Sequence, residues 1–276
     1  MRSDFYQKSI KWGETMTLEI LVATMHQQDF SLIDKMNIRS NAIVVNQCNQ
    51  YSYHEIKTDQ NVVKWFNVNE RGLSRSRNLA LSKATADICL LVDDDEILHD
   101  DYEKVLIDEF TNSKKADLIT FNLNSIGNIS KRYVNKDRHR LNVFTIMRYG
   151  SARIAFRRNK VLNARILFAP NFGAGTDISS GEDSLFLHDC LDKGLKAFTS
   201  PEVIADINDV RENSSWFKGY TEKYFVNMGT IYAAMSPHFS ALWIIQYIIR
   251  HRDTTKDLGF FNCFKLMFRG KRIKID

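Results

Sequence analysis

An α/β fold with a mainly parallel sheet flanked by helices, extended by a helical C-terminal appendage, is the architecture this sequence predicts. Three observations lead there. Short apolar runs alternate with helix-length amphipathic stretches through the first 200 or so residues. One of them, Ile88-Cys89-Leu90-Leu91-Val92, is apolar without interruption, as a strand covered on both faces must be. Beyond residue 211 the strand pattern stops and apolar side chains recur at helical spacing. The chain therefore divides into an α/β body, residues 1–210, and a helical segment, residues 211–276.

The elements follow in order. Residues 17–24, 41–46 and 61–66 read as three strands, with a short helical stretch at 29–36 between the first two. Residues 73–84 carry Leu73, Leu79, Leu81 and Ala84 at helical intervals. A central strand at 88–92, a helix at 100–111 and a strand at 117–123 continue the alternation. Residues 124–160 turn basic, with Lys131, Arg132, Lys136, Arg138, Arg140 and Arg148, and the strand-like run 152–157 closes them. A helix over 183–194 ends at Gly194, a natural C′ position. A short strand at 196–200 runs into Pro201. After residue 211, Phe217, Tyr220, Tyr224, Met228, Ile231 and Met235 form one helical stripe, which Pro237 breaks.

A chain of 276 residues with 44% hydrophobic and 26% charged side chains buries its own core and is not disordered, collagenous or coiled-coil. The four cysteines, Cys48, Cys89, Cys190 and Cys263, form no CxxC pair, which suits a reducing compartment and argues against a zinc ribbon. The N-terminus shows no apolar signal segment. The net charge of +5 lies in the tail: residues 250–276 hold eight Lys/Arg against three Asp, so residues 1–249 sum to zero. No P-loop, HExxH or GxSxG motif occurs, and GxG at Gly173 and Gly175 lacks the third glycine of a dinucleotide fingerprint.

Three local patterns carry chemistry. Asp93-Asp94-Asp95-Glu96 follows the central strand directly. Open α/β sheets bind ligands at the carboxyl ends of their strands. Four acids there repel one another unless a cation offsets them, or else they form a solvated turn capping the next helix. Oxygen donors beside a diphosphate suit Mg²⁺ or Mn²⁺. Gly181-Glu182-Asp183-Ser184 opens a helix, so its acids either complement the helix dipole or hold a general base at a cleft rim. Arg71, Arg75 and Arg77 around Gly72 cannot all be core, and arginine suits phosphate.

In order and spacing, Gly72-Leu73-Ser74 through Arg77-Asn78, then ICLLVDDDE, then GEDSLF, with 87 positions from Asp95 to Glu182, this chain resembles the family 2 glycosyltransferases of GT-A fold over about residues 17–206. The resemblance implies a Rossmann-like GT-A domain and inverting, metal-dependent transfer of a sugar from a nucleotide sugar, of UDP-hexose type, to an acceptor hydroxyl. It implies Asp183 as the catalytic base and Glu182 near the acceptor, where Trp216 is also expected. Thr24, Asn46, Gln47, Arg77, Asp93 and Asp94 are the expected nucleotide-sugar contacts, and Asp95 the ligand of Mn²⁺ or Mg²⁺. The sequence departs from the family in two places. Asn46-Gln47-Cys48-Asn49 stands where the family has Asp-Asp-Gly-Ser, so an amide would read the base. Asp206 stands in for the family's histidine as a further metal ligand.

Two other classes share some of these features: a metal-dependent nucleotidyltransferase, whose Gly-rich loop after strand one is missing here, and a non-catalytic membrane-surface scaffold. The expected partners are a nucleotide-sugar donor, a saccharide or lipid-linked saccharide acceptor, an anionic membrane surface and a second copy of the chain, but not nucleic acid, for which no binding fold is recognised. Trp243, Tyr247 and the Phe residues beside clustered Lys/Arg favour a membrane interface over a span across it. A cytoplasmic protein, peripheral on the inner face of the cell membrane and working in polysaccharide or lipid-linked glycan assembly, is the context this implies.

Overall fold

The computed structural model describes residues 16–58, 61–126, 133–208 and 219–275. Its centre is a nine-stranded sheet in the order β3-β4-β2-β1-β5-β8-β7-β9-β6. Strands β1 (Leu18–Met25), β2 (Asn41–Gln47), β4 (Val62–Val68) and β5 (Ile88–Asp93) are mutually parallel. The chain leaves β1 toward β2 and β4 on one side and later returns to β5 on the other. The order therefore reverses at β1, and the crevice it creates lies at the carboxyl ends of β1 and β5. Ala23 faces Asp93 in that register.

Short β6 (Glu96–Leu98) and polar edge strand β3 (Ser52–Lys57) carry no apolar alternation, and their place in the sheet comes from pairing with β9 and β4. Strand β8 (Ile154–Arg157) runs antiparallel between β5 and β7 (Leu118–Ile126). Strand β9 (Ala197–Asn208) does not stop at Pro201 as the sequence suggests. Its parallel register with β7 shifts around Asn122, a bulge where a residue without an N–H is tolerated, and the Asn122 amide donates to the Pro201 carbonyl.

Alternate residues of the central strands fill two cores. Ile20, Val22, Leu90 and Val92 face α3 (Tyr102–Asn112) and the one-turn helix α1 (Leu32–Lys35). Leu21, Ile43, Val45 and Leu91 face α2 (Leu73–Lys83), the short α4 (Arg158–Asn163) and α5 (Glu182–Asp192). The end of α5 satisfies its carbonyls through Gly194 N–H to Leu191 and Leu195 N–H to Cys190, a Schellman arrangement. All four cysteines are buried and unbridged.

The C-terminal segment forms α6 (Glu222–Met235), α7 (Ser240–Arg250) and α8 (Phe260–Lys271). Phe225, Met228, Ile231, Ile248 and Met267 belong to the same core as Phe156 and Phe186, so these helices extend the core on that side of the sheet, with α6 packed on α5. Helices α6 and α8 meet backbone to backbone. A Cβ at Gly229 would overlap the Met267 carbonyl, and one at Gly270 the Val226 carbonyl, so α8 runs antiparallel to α6. Gly229→Ala is expected to destabilise the protein by about 1–3 kcal/mol through overpacking, read as a Tm drop of roughly 2–10 °C. An unchanged Tm would mean that α8 is not seated on α6 in this way.

Candidate active site

The acidic run turns sharply after β5. Asp93 ends the strand, Asp94 and Asp95 form the turn, and Glu96 starts β6, which pairs with β9. That turn gathers one carboxylate oxygen each from Asp93, Asp95 and Glu96 within 4.8 Å of one another. Such an oxygen donor set fits a hard divalent cation such as Mg²⁺ or Mn²⁺. Glu96, 1% exposed, was visible in sequence only as part of the acidic run, because β6 is too short to announce which way its side chain points. Asp206 is not brought into this group. Its Oδ1 accepts from the Asn124 amide at 3.1 Å and lies 3.1 Å from His99 Nε2.

Arg77 stands behind the acids. Its side chain is 3% exposed, and its guanidinium donates from Nη2 to Asp93 Oδ1 at 2.9 Å and from Nη1 to Asp183 Oδ1 at 2.8 Å and Glu182 Oε1 at 3.3 Å. Phe168 lies under the same group, 5.5 Å from ring centre to the guanidinium carbon. Burial on its own would lower the Arg77 pKa, but the negative charges of Asp183, Asp93 and Glu182 outweigh it and raise the pKa above the ordinary arginine range. The structure thus gives Arg77 three carboxylate partners within the protein, where the sequence reading gave it a nucleotide.

The two acids of the GED motif open α5 but differ in environment. Glu182 is buried against Gly173, and its carboxyl is pushed up to about 8, first by burial and then by Asp183, with Arg77 opposing. Asp183 keeps 22% of its side chain exposed, while Arg77 holds its Oδ1. Its Oδ2 points to Gly150, where an added Cβ would stand 3.5 Å away. Gly181, at φ 97°, leaves room for Ile231 of α6, whose side chain would lie 2.6 Å from an added Cβ. A helix of the C-terminal segment therefore abuts the start of α5.

The β1 and β2 ends supply polar contacts of another kind. Thr24 Oγ1 donates to Asp94 Oδ2 at 2.7 Å and accepts from the Gln27 amide at 2.9 Å. Asn46 is buried. Its Oδ1 accepts from the Gln27 backbone N–H and its Nδ2 donates to the Gln27 carbonyl, both at 3.0 Å, and also to Asn67 Oδ1 at 2.8 Å. Gln47 Oε1 accepts from the Gly72 N–H at 2.8 Å. Both amides fasten loop backbone: Asn46 fixes the turn after β1, and Gln47 fixes the start of α2. Gln27 and Gly150 were missed in the sequence because neither carries a motif, and only tertiary contact identifies them. Trp216 lies outside the described residues.

A sheet with its order reversing at β1, acids at the end of β5 and a GED helix facing them define a GT-A fold. The profile described as Glycosyl transferase family 2 matches residues 31–179. The chain belongs to that family. A search of curated proteins finds no match. Among solved structures, it is similar to Staphylococcus aureus TarS 1-349 in complex with UDP-GlcNAc at 16% identity and a TM-score of 0.59, covering 79% of this chain and 66% of that one. The corresponding complex with UDP gives 15% identity and a TM-score of 0.57, covering 79% and 65%. S. aureus TarS in its longer form gives 14% and 0.55, covering 79% and 39%. The chain thus spans less than two thirds of the length of these neighbours.

The raised Glu182 carboxyl has a consequence for stability. Between its ordinary value of 4.5 and about 8, the folded protein holds the proton that the unfolded chain has lost, so this group's contribution falls as pH rises through that window. Glu182→Gln is expected to flatten the fall. The denaturation midpoint of the variant should gain on wild type from pH 5 to pH 8. Parallel midpoint profiles for the two proteins would show that Glu182 is ionised throughout.

Proposed function

We propose that this chain transfers a sugar from a nucleotide sugar, of UDP-hexose type, to an acceptor hydroxyl with inversion at the anomeric carbon. One observation carries the reading: a single buried guanidinium fixes the accessible carboxylate Asp183 across from Asp93 at the end of β5, so base and diphosphate-side acids face one crevice. The UDP-GlcNAc and UDP complexes of TarS support a uridine nucleotide as donor.

Asp183 takes the proton of the acceptor hydroxyl. The acceptor oxygen then bonds to the anomeric carbon from the face opposite the leaving group, and the bond from that carbon to the diphosphate oxygen breaks with its electron pair. Asp93, Asp95 and Glu96 would hold Mn²⁺ or Mg²⁺, which when bound offsets negative charge on the departing diphosphate. Arg77 is a positioning residue that sets the direction of the Asp183 carboxylate. Glu182, protonated more readily than an ordinary glutamate, spares Asp183 a neighbouring negative charge. Thr24 and Asp94 line the donor end, with Asn46 and Gln47 holding the loops there.

A screen of nucleotide sugars for metal-dependent hydrolysis identifies the donor. Asp183→Asn keeps an acceptor for Arg77 and is expected to lower turnover by ~10²–10⁴ while leaving the UDP-induced rise in Tm intact. Asp95→Ala should remove the Mn²⁺ dependence of that rise, and Asp94→Ala should do less. Full turnover in Asp183→Asn would end its assignment as base. No hydrolysis and no thermal shift with any nucleotide would favour the non-catalytic scaffold.

The acceptor side is proposed to work at an anionic lipid surface on a saccharide or lipid-linked saccharide. Among the described residues no helix is long and apolar enough to cross a membrane. Helix α7 nonetheless turns Leu242, Ile245 and Ile249 outward, with Phe239 exposed just before it and Leu242 61% exposed, and Phe261 of α8 is 78% exposed. Lys265, Arg269 and Arg272 share the outer side of α8 with Phe261. An apolar stripe beside clustered basic residues suits an anionic bilayer interface. Wild type is expected to float with phosphatidylglycerol vesicles at low salt, and Leu242→Glu/Ile249→Glu to sediment. Wild type staying at the bottom of the gradient would end the membrane reading, and dissociation of a dimer by those substitutions would assign the stripe to a second copy of the chain.

A further inference from the structure

Between the turn at Ile146–Arg148 and the α6–α7 hairpin lies a cleft of about 410 Å³ that none of the roles above uses. Tyr224, Tyr232, Trp243 and Tyr247 form its walls, and Arg148 and Arg250, both exposed, stand at it. Among the described residues no carboxylate lines it, and neither arginine has an ion-pair partner. Arg148 instead lies over the Tyr133 ring at 4.9 Å. His251 stacks on Tyr247 at 4.5 Å, and burial together with Arg250 lowers its pKa, so the standing positive charge of the cleft comes from the two arginines.

The aromatic walls are organised. The hydroxyls of Tyr224 and Tyr247 are 3.0 Å apart, and Trp243 meets Tyr232 edge to face at 5.9 Å. Burial raises the pKa of all three tyrosines, so each keeps a neutral hydroxyl able to donate and accept. The cleft also adjoins the proposed base. Arg148 is two residues from Gly150, a backbone reach of at most about 7.6 Å, and a Cβ added at Gly150 would stand 3.5 Å from Asp183 Oδ2. From the other side, Ile231 packs against Gly181, and the next residue, Tyr232, is a cleft wall.

We propose that this cleft is the acceptor site and that it selects a saccharide bearing a phosphate beside its sugar ring. The inference rests on the glycosyltransferase reading above. Aromatic faces pack against the C–H faces of a sugar, neutral tyrosine hydroxyls meet its hydroxyls, and two guanidinium groups without ion-pair partners among the described residues match a phosphate. That phosphate can belong to a soluble sugar phosphate or to a lipid carrier, and the two share the same recognition.

Trp243 reports on the cleft directly. Its emission, taken as the difference between wild type and Trp243→Phe, is followed on adding glucose 1-phosphate, N-acetylglucosamine 1-phosphate, the two free sugars and inorganic phosphate. At least one sugar phosphate is expected to act at a concentration at least ten-fold below its free sugar and below phosphate alone. Arg148→Ala and Arg250→Ala should each raise that concentration at least five-fold while leaving the UDP and Mn²⁺ shift in Tm unchanged. An octyl phosphodiester of the same sugar that binds ten-fold tighter assigns the phosphate to a lipid carrier, and equal binding assigns it to a soluble acceptor. Equal response to free and phosphorylated sugars, no response to any of them, or an undiminished response in both arginine variants would overturn the proposal. Loss of the UDP shift in wild type would instead count against the donor reading, whatever the cleft does.

Discussion

One guanidinium shared by three carboxylates is the constraint on which the rest of the site depends. Arg77 is almost fully enclosed, and a buried charge costs several kcal/mol unless its partners are well placed. Those partners come from two other elements: Asp93, 16 residues on at the end of β5, and Glu182 and Asp183, more than 100 residues on at the start of α5. Three negative groups around one positive group leave an excess of negative charge, and burial first, then the charge of Asp183, raises the affinity of Glu182 for its proton, which lessens that excess. What remains is an ionic pairing of Arg77 with Asp93 and Asp183, whose separation is set by the span of one guanidinium.

That clamp holds only if α2 and α5 are themselves held, and much of the surrounding structure does this. Gln47 fastens the N–H of Gly72, Ser74 Oγ donates to the Phe172 carbonyl, and Leu73 N–H donates to Ala174, so the start of α2 is stitched to the loop that leads into α5. Asn78 grips both the N–H and the carbonyl of Phe168 at 2.8 Å. Phe168 in turn stacks on Phe186 of α5 at 4.3 Å, with the rings nearly parallel. At the far end of α2, the buried Glu19 of β1 accepts from the N–H groups of Thr85 and Ala86. Helix α6 closes the assembly by pressing Ile231 against Gly181, and α8 holds α6 at a separation only glycine permits.

The sequence disclosed what depends on local pattern. The uninterrupted run Ile88–Val92 gave the central strand, and the acids after it marked the crevice because strand ends in such sheets are where ligands meet protein. The helices at Leu73 and Glu182 were readable from period and from the glycines before them. What stayed hidden depends on distant pairing. Strand β6 is three residues long, so nothing local turns Glu96 inward. The roles of Asn46 and Gln47 follow from Gln27 and Gly72 lying opposite them, which spacing along the chain cannot state. Arginine suits phosphate, which is what the sequence suggests for Arg77, whereas its burial among three acids depends in part on contacts more than 100 residues apart that local pattern does not carry.

The distribution of charge then takes on a direction. The sequence places its whole surplus of +5 in residues 250–276, while the acids of the crevice sit in a body that sums to zero. In the folded protein Arg250 of that tail stands with Arg148 at the proposed acceptor cleft. The acids Asp93, Asp95 and Glu96 gather at the end of β5, whereas the cleft has Arg148 and Arg250 and, among the described residues, no carboxylate. An anionic acceptor entering such a field turns its charged end toward the arginines and away from the acids, which leaves its uncharged hydroxyl end toward Asp183. The same acids repel a second anionic molecule from the donor side unless a cation is present there to receive it. Under the proposed acceptor assignment, orientation of the acceptor and ordering of the two substrates would both come from one arrangement of charges.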